Sequence, residues 1–171
     1  WGATTPFVMM QAFSSLYKVP ACNFRAQAVY TNNPNAGSFR GYGNPQATFA
    51  LESVIDLLAE KLGMDKTEIR LLNANAPGEV TGAGLKYTTC GHADALRKVI
   101  AESKKNNRPP PASARFVRGI GYASMLHVGG GAKIYRSDGC GTTVKIDPFG
   151  SLTVITSSSE IGQGSETVLA M

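Results

Sequence analysis

The sequence predicts an α+β fold, with helices in the first two thirds of the chain and an antiparallel or mixed sheet in the last third. Three observations predict it. Apolar residues recur at helical spacing through residues 44–104, three consecutive prolines follow at 109–111, and short apolar segments joined by a tight turn come after them. With 171 residues, 43% of them apolar, the chain can bury the core of one domain or of a small pair.

The first predicted elements are a helix, a strand and a turn. Residues 1–20 are apolar and aromatic with helical periodicity, and Pro20 is expected to end that helix. Residues 24–31 alternate in polarity and predict a short strand. Residues 32–37 are rich in asparagine, proline and glycine and predict a turn.

The longest predicted helix follows this turn. Asn44 is its expected N-cap, Pro45 suits the first helical position, and Gly63 suits a left-handed C-cap. Its core face is expected to consist of apolar residues at helical spacing, namely Ala47, Ala50, Leu51, Val54, Ile55, Leu58 and Leu62.

Two shorter helices complete the helical part. The Asp-x-x-Glu pattern at residues 65–68 is a capping box, which opens a helix through Leu72. Glycine-rich residues 76–91 predict a loop. A further helix is expected over about residues 92–104, with Leu96, Val99 and Ile100 facing inward.

The last third predicts a sheet. Residues 106–114 form a proline-rich linker between a helical part, residues 1–105, and a sheet part, residues 115–171, because consecutive prolines can neither continue a helix nor join a ladder. Strands are predicted at residues 116–128, 141–147 and 151–157, the last two joined by a hairpin turn at residues 147–150, and a helix is expected from Ser165 or Glu166.

Composition excludes two classes of partner. The net charge of +5 comes from scattered basic residues, without the basic stripe and interleaved aromatic residues expected of a nucleic-acid binder. No apolar run is long enough to span a membrane. The three cysteines are widely spaced and lack zinc-ligand spacing, which favours a reducing compartment and a cytoplasmic location.

One candidate ligand site is the Arg40 turn, residues 37–46, with the sequence Gly-Ser-Phe-Arg-Gly-Tyr-Gly-Asn-Pro-Gln. Its glycines permit positive φ and close backbone approach to a ligand. Arg40 supplies a planar, charged donor fork and Tyr42 an aromatic face, just before the N-terminus of a helix. By spacing alone, an ordinary turn with a surface arginine is an equally good interpretation.

A second candidate is the Gln163 loop, residues 157–165, which precedes a predicted helix. Gly162 and Gly164 flank Gln163, whose amide can both donate and accept hydrogen bonds to a heterocycle. A polar surface loop is the alternative, and the lysine of a nucleotide-binding P-loop is absent. His127, before a glycine run, is interpreted as a strand-end histidine rather than a ligand or base.

Together the two segments resemble the xanthine dehydrogenase/aldehyde oxidase family of molybdenum hydroxylases. Residues 37–46 resemble that family's Gly-Ala-Phe-Arg-Gly-Phe-Gly-x-Pro-Gln segment, and residues 160–164 resemble its Glu-Met-Gly-Gln-Gly segment, in the same order and at a matching separation. The resemblance covers most of residues 24–168 and implies an internal fragment of the molybdopterin-binding subunit. The start at Trp1, rather than at a methionine, agrees with that expectation.

The resemblance also implies roles for individual residues. Arg40 would hydrogen-bond around the molybdenum–pterin centre without being a metal ligand, and Gln163 would bind the pterin through its amide. Phe39 would pack beneath the turn, and Tyr42 stands where the family usually has a stacking phenylalanine. The cofactor-binding residues implied are therefore Phe39, Arg40, Gly41, Gly162, Gln163 and Gly164, with Tyr42 as the substrate-binding residue.

The activity implied is the hydroxylation or oxidation of an aromatic heterocycle or aldehyde, or the reduction of an aromatic thioester such as hydroxybenzoyl-CoA. The cofactor would be molybdopterin, with or without a cytosine dinucleotide extension. Iron–sulfur centres and FAD would lie on other domains or subunits, which are the expected partners together with the rest of the molybdopterin subunit and a small aromatic or aldehyde substrate.

No catalytic residue is expected within the chain. In the family a glutamate near the C-terminus of the subunit acts as general base, and no motif assigns that role to Glu52, Glu160 or Glu166 here. The isolated chain is therefore expected to be inactive. Two alternatives remain: a non-catalytic cofactor-binding or subunit-packing module, and a glycine-loop nucleotide binder, which lacks the full phosphate-binding pattern.

Overall fold

The computed structural model describes residues 4–35, 37, 39–105, 113, 115–127 and 139–171, and it confirms the α+β prediction. The chain divides into two compact units, Trp1–His127 and Val128–Met171. Most of the predicted linker, residues 106–114, lies outside the described residues, so the predicted domain boundaries stay a prediction. The elements in chain order are α1 (Thr5–Ser15), α2 (Asn44–Leu62), α3 (Lys66–Leu72), α4 (His92–Lys105), β1 (Thr142–Ile146), β2 (Leu152–Thr156) and α5 (Ser165–Ala170).

Helix α1 ends at Ser15, so the prediction that it continues to Pro20 is wrong. Its last carbonyls are bound by side chains from a distant segment. The amide of Asn75 donates to the carbonyl of Ser15 at 2.8 Å, and the hydroxyl of Tyr87 donates to the same oxygen at 2.9 Å. These contacts satisfy carbonyl groups at the helix end, and the chain then bridges to Ala74 through Tyr17.

Helix α2 begins one residue earlier than its sequence suggests. Gly43, at φ 103°, is the N-cap and Asn44 is the first helical residue, so the prediction of Asn44 as N-cap is wrong by one position. The C-terminal prediction is confirmed, because Gly63 adopts the left-handed conformation at φ 65°.

The predicted core face of α2 is largely wrong. Of the seven expected residues only Ala47 is buried, whereas Val54, Leu58 and Leu62 are exposed. The buried residues of α2 are Asn44, Ala47, Glu52 and Ala59.

An ion pair lies at the centre of the buried side of α2. Glu52, 6% exposed, accepts from Nε of Arg70 at 2.7 Å and lies 2.6 Å from its Nη2, while Arg70 itself is 1% exposed. The other carboxylate oxygen accepts from the hydroxyl of Tyr17 at 2.6 Å and from the backbone N–H of Ser124 at 3.0 Å. Burial and the hydrogen bond to Glu52 raise the pKa of Tyr17. The pair therefore joins α2, α3 and two irregular segments.

Helices α3 and α4 follow their predictions closely. The carboxylate of Asp65 accepts from the backbone N–H groups of Thr67 at 2.7 Å and of Glu68 at 3.1 Å, as expected of a capping side chain. On α4, Leu96 and Ile100 are buried, but Val99 is exposed. Within the described part of the chain, no helix combines the length and apolarity needed to cross a membrane.

Two predicted strands do not form. Residues 24–31 and 116–127 are irregular, and Val128 lies outside the described residues. In the second segment the hydrogen-bonding groups reach helices instead of a neighbouring strand. The N–H of Ser124 donates to Glu52, and the hydroxyl of Tyr122 lies 2.6 Å from that of Ser103 on α4. The alternating polarity of residues 24–31 therefore did not indicate a strand.

The second unit contains the predicted hairpin. Strands β1 and β2 pair antiparallel, with Val144 opposite Val154 and Ile146 opposite Leu152. The carboxylate of Asp147 accepts from two backbone N–H groups of the turn, those of Phe149 and Ser151. Helix α5 begins at Ser165, one of the two expected positions.

We expect Arg70→Ala to lower the free energy of unfolding of the chain by about 3–5 kcal/mol, because it leaves the carboxylate of Glu52 buried without its cation. Urea denaturation measures the change. The matched control is Arg97→Ala, which removes an exposed pair with Asp94 and is expected to change stability by about 0.5 kcal/mol or less. Similar losses in the two variants would contradict the central role of the buried pair.

Candidate functional site

The backbone of the Arg40 turn reverses sharply just before α2. Three successive residues have positive φ: Gly41 at 99°, Tyr42 at 49° and Gly43 at 103°. The N–H of Tyr42 donates to the carbonyl of Phe39 at 2.8 Å, and the N–H of Asn44 donates to that of Gly41 at 3.0 Å. A left-handed conformation at a non-glycine residue such as Tyr42 is uncommon and is found most often at functional sites.

Two of the glycines are required by close packing. A Cβ on Gly41 would lie 2.6 Å from Cδ of Pro45, and a Cβ on Gly43 would lie 2.8 Å from the carbonyl oxygen of Thr5 and 3.1 Å from Cγ of Met9. Gly43 therefore lets the turn lie directly against α1. The sequence argument had assigned these glycines to close approach by a ligand, whereas in the structure both contact the protein itself.

Asn44 fixes the turn from beneath. It is 1% exposed, and its Nδ2 donates to the carbonyl of Gly41 at 2.7 Å and lies 2.9 Å from Nδ1 of His127. Because the carbonyl of Gly41 requires an N–H donor, the amide orientation is determined and Nδ1 of His127 is the acceptor. Sequence reasoning had placed both residues elsewhere, Asn44 as a helix cap and His127 at a strand end.

The side chains of the turn that were expected to meet a ligand lie at its surface. Arg40 is exposed, and Phe39 is 83% exposed. The expectation that Phe39 packs beneath the turn is therefore wrong, since Asn44 occupies that position. The hydroxyl of Tyr42 is hydrogen-bonded to that of Thr4, and Tyr42 is half-buried.

The carboxylate of Glu160 lies at the centre of the Gln163 loop. One oxygen accepts from the N–H groups of Gly162 at 2.6 Å and Gly164 at 3.1 Å, and the other accepts from the hydroxyl of Ser165 at 2.9 Å and the N–H of Glu166 at 3.4 Å. Gly162 and Gly164 have φ of 100° and 79°, which directs both N–H groups inward. These bonds, that from Gly164 above all, lower the pKa of Glu160 to about 2.

Gln163 is exposed at the tip of this loop, and its amide is oriented by the backbone. Its Oε1 accepts from the N–H of Ile161 at 2.7 Å, while its Nε2 donates to the carbonyl of Ser159 at 2.6 Å and to the hydroxyl of Ser165 at 3.3 Å. Both amide hydrogens are thereby engaged, and one lone pair of Oε1 remains. The loop can therefore accept one hydrogen bond from a ligand without rearranging.

The geometry disfavours Glu52 and Glu160 as general bases. Glu52 is paired with Arg70 and accepts from Tyr17, and Glu160 accepts from four donors. A pKa of about 2 makes Glu160 a poor proton acceptor near neutral pH. Sequence reasoning found Gln163 but not the role of Glu160, although a carboxylate within four residues of two glycines was a usable signal.

The first unit also contains a cavity of about 580 Å³. It is lined by α4 and the irregular segment at residues 121–126, and by Cys90 and His92. Burial lowers the pKa of His92. No residue of the Arg40 turn lines the cavity, so it does not add to the site described above.

Each candidate segment by itself offers a hydrogen-bonding group that suits a polar heterocyclic ligand. Arg40 offers exposed guanidinium donors on a rigid turn, and Gln163 offers an oriented amide oxygen. They lie in different units of the chain. Among the described residues, no group of three or more histidine, cysteine or acidic side chains could hold a metal ion directly.

Comparisons with known proteins match two parts of the chain to one kind of domain. Residues 1–74 match the model of one molybdopterin cofactor-binding domain, and residues 92–171 match that of a second. The two matches together include the Arg40 turn and the Gln163 loop.

Curated relatives agree with those matches. The chain is 32% identical over 164 residues to the xanthine dehydrogenase molybdenum-binding subunit of Escherichia coli O157:H7, covering 90% of this chain and 21% of that subunit. It is 32% identical over 154 residues to the aldehyde oxidoreductase of Megalodesulfovibrio gigas, covering 88% and 16%. The chain thus spans about a fifth or less of the length of these relatives.

A third curated relative matches a shorter part of the chain. Over 68 residues the chain is 47% identical to the nicotinate dehydrogenase large molybdopterin subunit of Eubacterium barkeri, covering 40% of this chain and 16% of that one. The solved aldehyde oxidoreductase of Desulfovibrio gigas is 40% identical over 40% of this chain and 8% of its own, with a TM-score of 0.37, a value that establishes no common fold.

We expect Gly43→Ala to destabilise the first unit by about 1–3 kcal/mol, because the added Cβ meets Thr5 and the positive φ strains any other residue. The matched control is Gly37→Ala, since a Cβ at Gly37 would have no heavy atom within 4 Å. Thermal unfolding of both variants measures the difference. An unchanged melting temperature for Gly43→Ala would show that the turn does not depend on α1.

Proposed function

This chain belongs to the molybdopterin cofactor-binding family of molybdenum hydroxylase subunits, and we propose that its Arg40 turn and its Gln163 loop both contact the pterin cofactor of such a subunit. The observation that carries the proposal is the way in which these two segments present their polar side chains. Each presents an exposed polar side chain on a backbone fixed by buried or internal hydrogen bonds.

Arg40 is proposed to donate to the cofactor from a turn that needs no rearrangement. Its neighbours Gly41, Tyr42 and Gly43 already have the positive φ values that shape the turn, and Asn44 holds the carbonyl of Gly41 in place. A planar guanidinium with five N–H donors suits the oxygen and nitrogen acceptors around a pterin–metal centre. Pre-organisation of this kind reduces the entropy lost on binding.

Gln163 is proposed to bind the pterin through its remaining Oε1 lone pair. Gly162 and Gly164 carry no side chains, so a flat ring can approach the loop closely. When bound, the molybdenum–pterin cofactor supplies the redox chemistry of the enzyme, and this chain supplies binding and orientation. Neither Glu52 nor Glu160 is proposed to transfer protons in the reaction.

The substrate proposed is a small aromatic heterocycle or an aldehyde, with an aromatic thioester as the reductive alternative. Tyr42 is proposed to present its ring face to an aromatic substrate. The hydrogen bond between its hydroxyl and that of Thr4 helps to hold the ring in one orientation. The names of the relatives include xanthine, aldehyde and nicotinate, which supports this range of compounds.

The partners proposed are the rest of a molybdopterin subunit and the domains or subunits that carry iron–sulfur centres and FAD. Several relatives are named as subunits. The exposed apolar residues of α2, which include Val54, Leu58 and Leu62, support contacts of this kind. The same residues favour a second candidate function, a subunit-packing module that binds no cofactor.

Substituting the two proposed cofactor contacts distinguishes these functions. In the holoenzyme that contains this chain, we expect Arg40→Ala and Gln163→Ala each to lower bound pterin and molybdenum several-fold, since each removes about 1–3 kcal/mol of hydrogen bonding. Arg97→Ala, an exposed arginine on α4, is the control and is expected to retain full occupancy. Pterin fluorescence after denaturation and metal analysis give the occupancies, and unchanged values in a double variant of Arg40 and Gln163 would favour the packing module.

The isolated 171 residues are expected to show no hydroxylase activity, because positioned cofactor, general base and electron acceptor are needed together. Assaying the purified chain with xanthine, nicotinate and an aromatic aldehyde, with a dye as electron acceptor, measures this. Turnover above that of a denatured sample would contradict the expectation.

A further inference from the structure

Glu160 has no role in the function proposed above, although among the described acidic residues of the second unit it accepts the most hydrogen bonds. We propose that Glu160 is a positioning residue. Its carboxylate is an anion supplied by the chain itself, and it binds the cluster of backbone N–H groups, or nest, of the Gln163 loop. Through Ser165, it orients the amide of Gln163 for the cofactor. This inference rests on the proposed function.

The first step of the argument is that the nest is already filled. Glycine N–H groups ahead of a helix commonly bind an external anion. Here the N–H groups of Gly162, Gly164 and Glu166 all donate to Glu160. A phosphate or carboxylate of a ligand would have to displace this side chain, which is tethered to the same loop and has a pKa of about 2. Glu160 is therefore ionised at neutral pH and competes effectively for these donors.

The second step is the connection to Gln163. The hydroxyl of Ser165 donates to Glu160 at 2.9 Å and accepts from Nε2 of Gln163 at 3.3 Å. Because a hydroxyl has one hydrogen, donation to the carboxylate turns its lone pairs toward the amide. Glu160 thus determines which way the Ser165 hydroxyl points, and that hydroxyl helps determine which end of the Gln163 amide faces outward.

The consequence is a specific binding chemistry. The Nε2 of Gln163 donates to Ser159 and Ser165, and its Oε1 accepts one hydrogen bond, from Ile161. The loop therefore presents an acceptor and not a donor. The ligand group that fits is an N–H, such as the ring or amino N–H of a pterin, rather than an anionic oxygen. Loss of the carboxylate would free the backbone donors and reverse this preference.

The first test measures cofactor retention in the holoenzyme. Glu160→Gln preserves the shape but places an NH₂ group against N–H donors, so we expect bound pterin to dissociate about tenfold faster or more. Glu160→Ala is expected to lose pterin further and to regain retention when formate is added, because formate supplies the missing carboxylate. Formamide, its neutral counterpart, is expected to restore nothing. Thermal unfolding of each variant checks that the fold is kept.

The second test needs no cofactor. In ¹⁵N spectra of the 171-residue chain, the Gln163 side-chain amide is expected to give two well-dispersed proton signals that collapse toward those of a free glutamine in Glu160→Gln. The Glu160 carboxyl is expected to titrate near 2. Since that folded-state pKa is below the ordinary 4.5, the ordering of the loop is fully present above about pH 4.5 and is lost as the pH falls through about 2.

The outcomes separate the two proposals. Wild-type pterin retention in Glu160→Gln, or equal rescue of Glu160→Ala by formate and formamide, would overturn the positioning role while leaving the proposed function intact. Absence of pterin from the purified wild-type enzyme that contains this chain would overturn the proposed function, and with it the cofactor role of Glu160. An unchanged Gln163 amide spectrum in Glu160→Gln would overturn the orienting step by itself.

Discussion

The first unit depends on one buried ion pair, that of Glu52 and Arg70. The carboxylate of Glu52 also accepts from Tyr17, which follows α1, and from Ser124 in the irregular segment after α4. Four separate parts of the chain therefore meet at one group. A buried charge without its partner is strongly destabilising, so this cluster fixes how the segments are arranged, more than the apolar residues of α2, most of which are exposed.

The Arg40 turn is built on that frame by small residues rather than by large ones. Gly43 permits contact with Thr5 of α1, and Asn44, buried beneath the turn, binds the carbonyl of Gly41. The interior of the turn is thus occupied by protein hydrogen bonds, and Arg40 is left on the outside. In the Gln163 loop, the N–H groups of Gly162 and Gly164 likewise donate to Glu160, and Gln163 is exposed. In both segments the glycines allow the backbone conformations that the hydrogen bonds within the protein require.

Local sequence was sufficient to predict an element wherever that element and its hydrogen-bond partners lie within a few residues of one another. The Asp65 cap, the left-handed Gly63 and the hairpin turn at Asp147 were predictable because each is a short-range contact. The occurrence of both motifs in one chain, at residues 37–46 and 160–164, was also sufficient to identify the family, since two long motifs in fixed order are more specific than either alone. Arg40 and Gln163 were found in this way.

The features that only the tertiary structure decided depend on contacts between residues that are far apart in sequence. At the end of helix α1, Asn75 and Tyr87 bind the carbonyl of Ser15, 60 and 72 residues away, and in the irregular segment at residues 116–127 the N–H of Ser124 donates to Glu52, 72 residues away. The inward position of Asn44 next to His127 has the same origin. Periodicity and local propensity carry no information about such contacts, so the sequence by itself determined the local elements and the family, and the folded chain determined which side chains are buried and which are exposed.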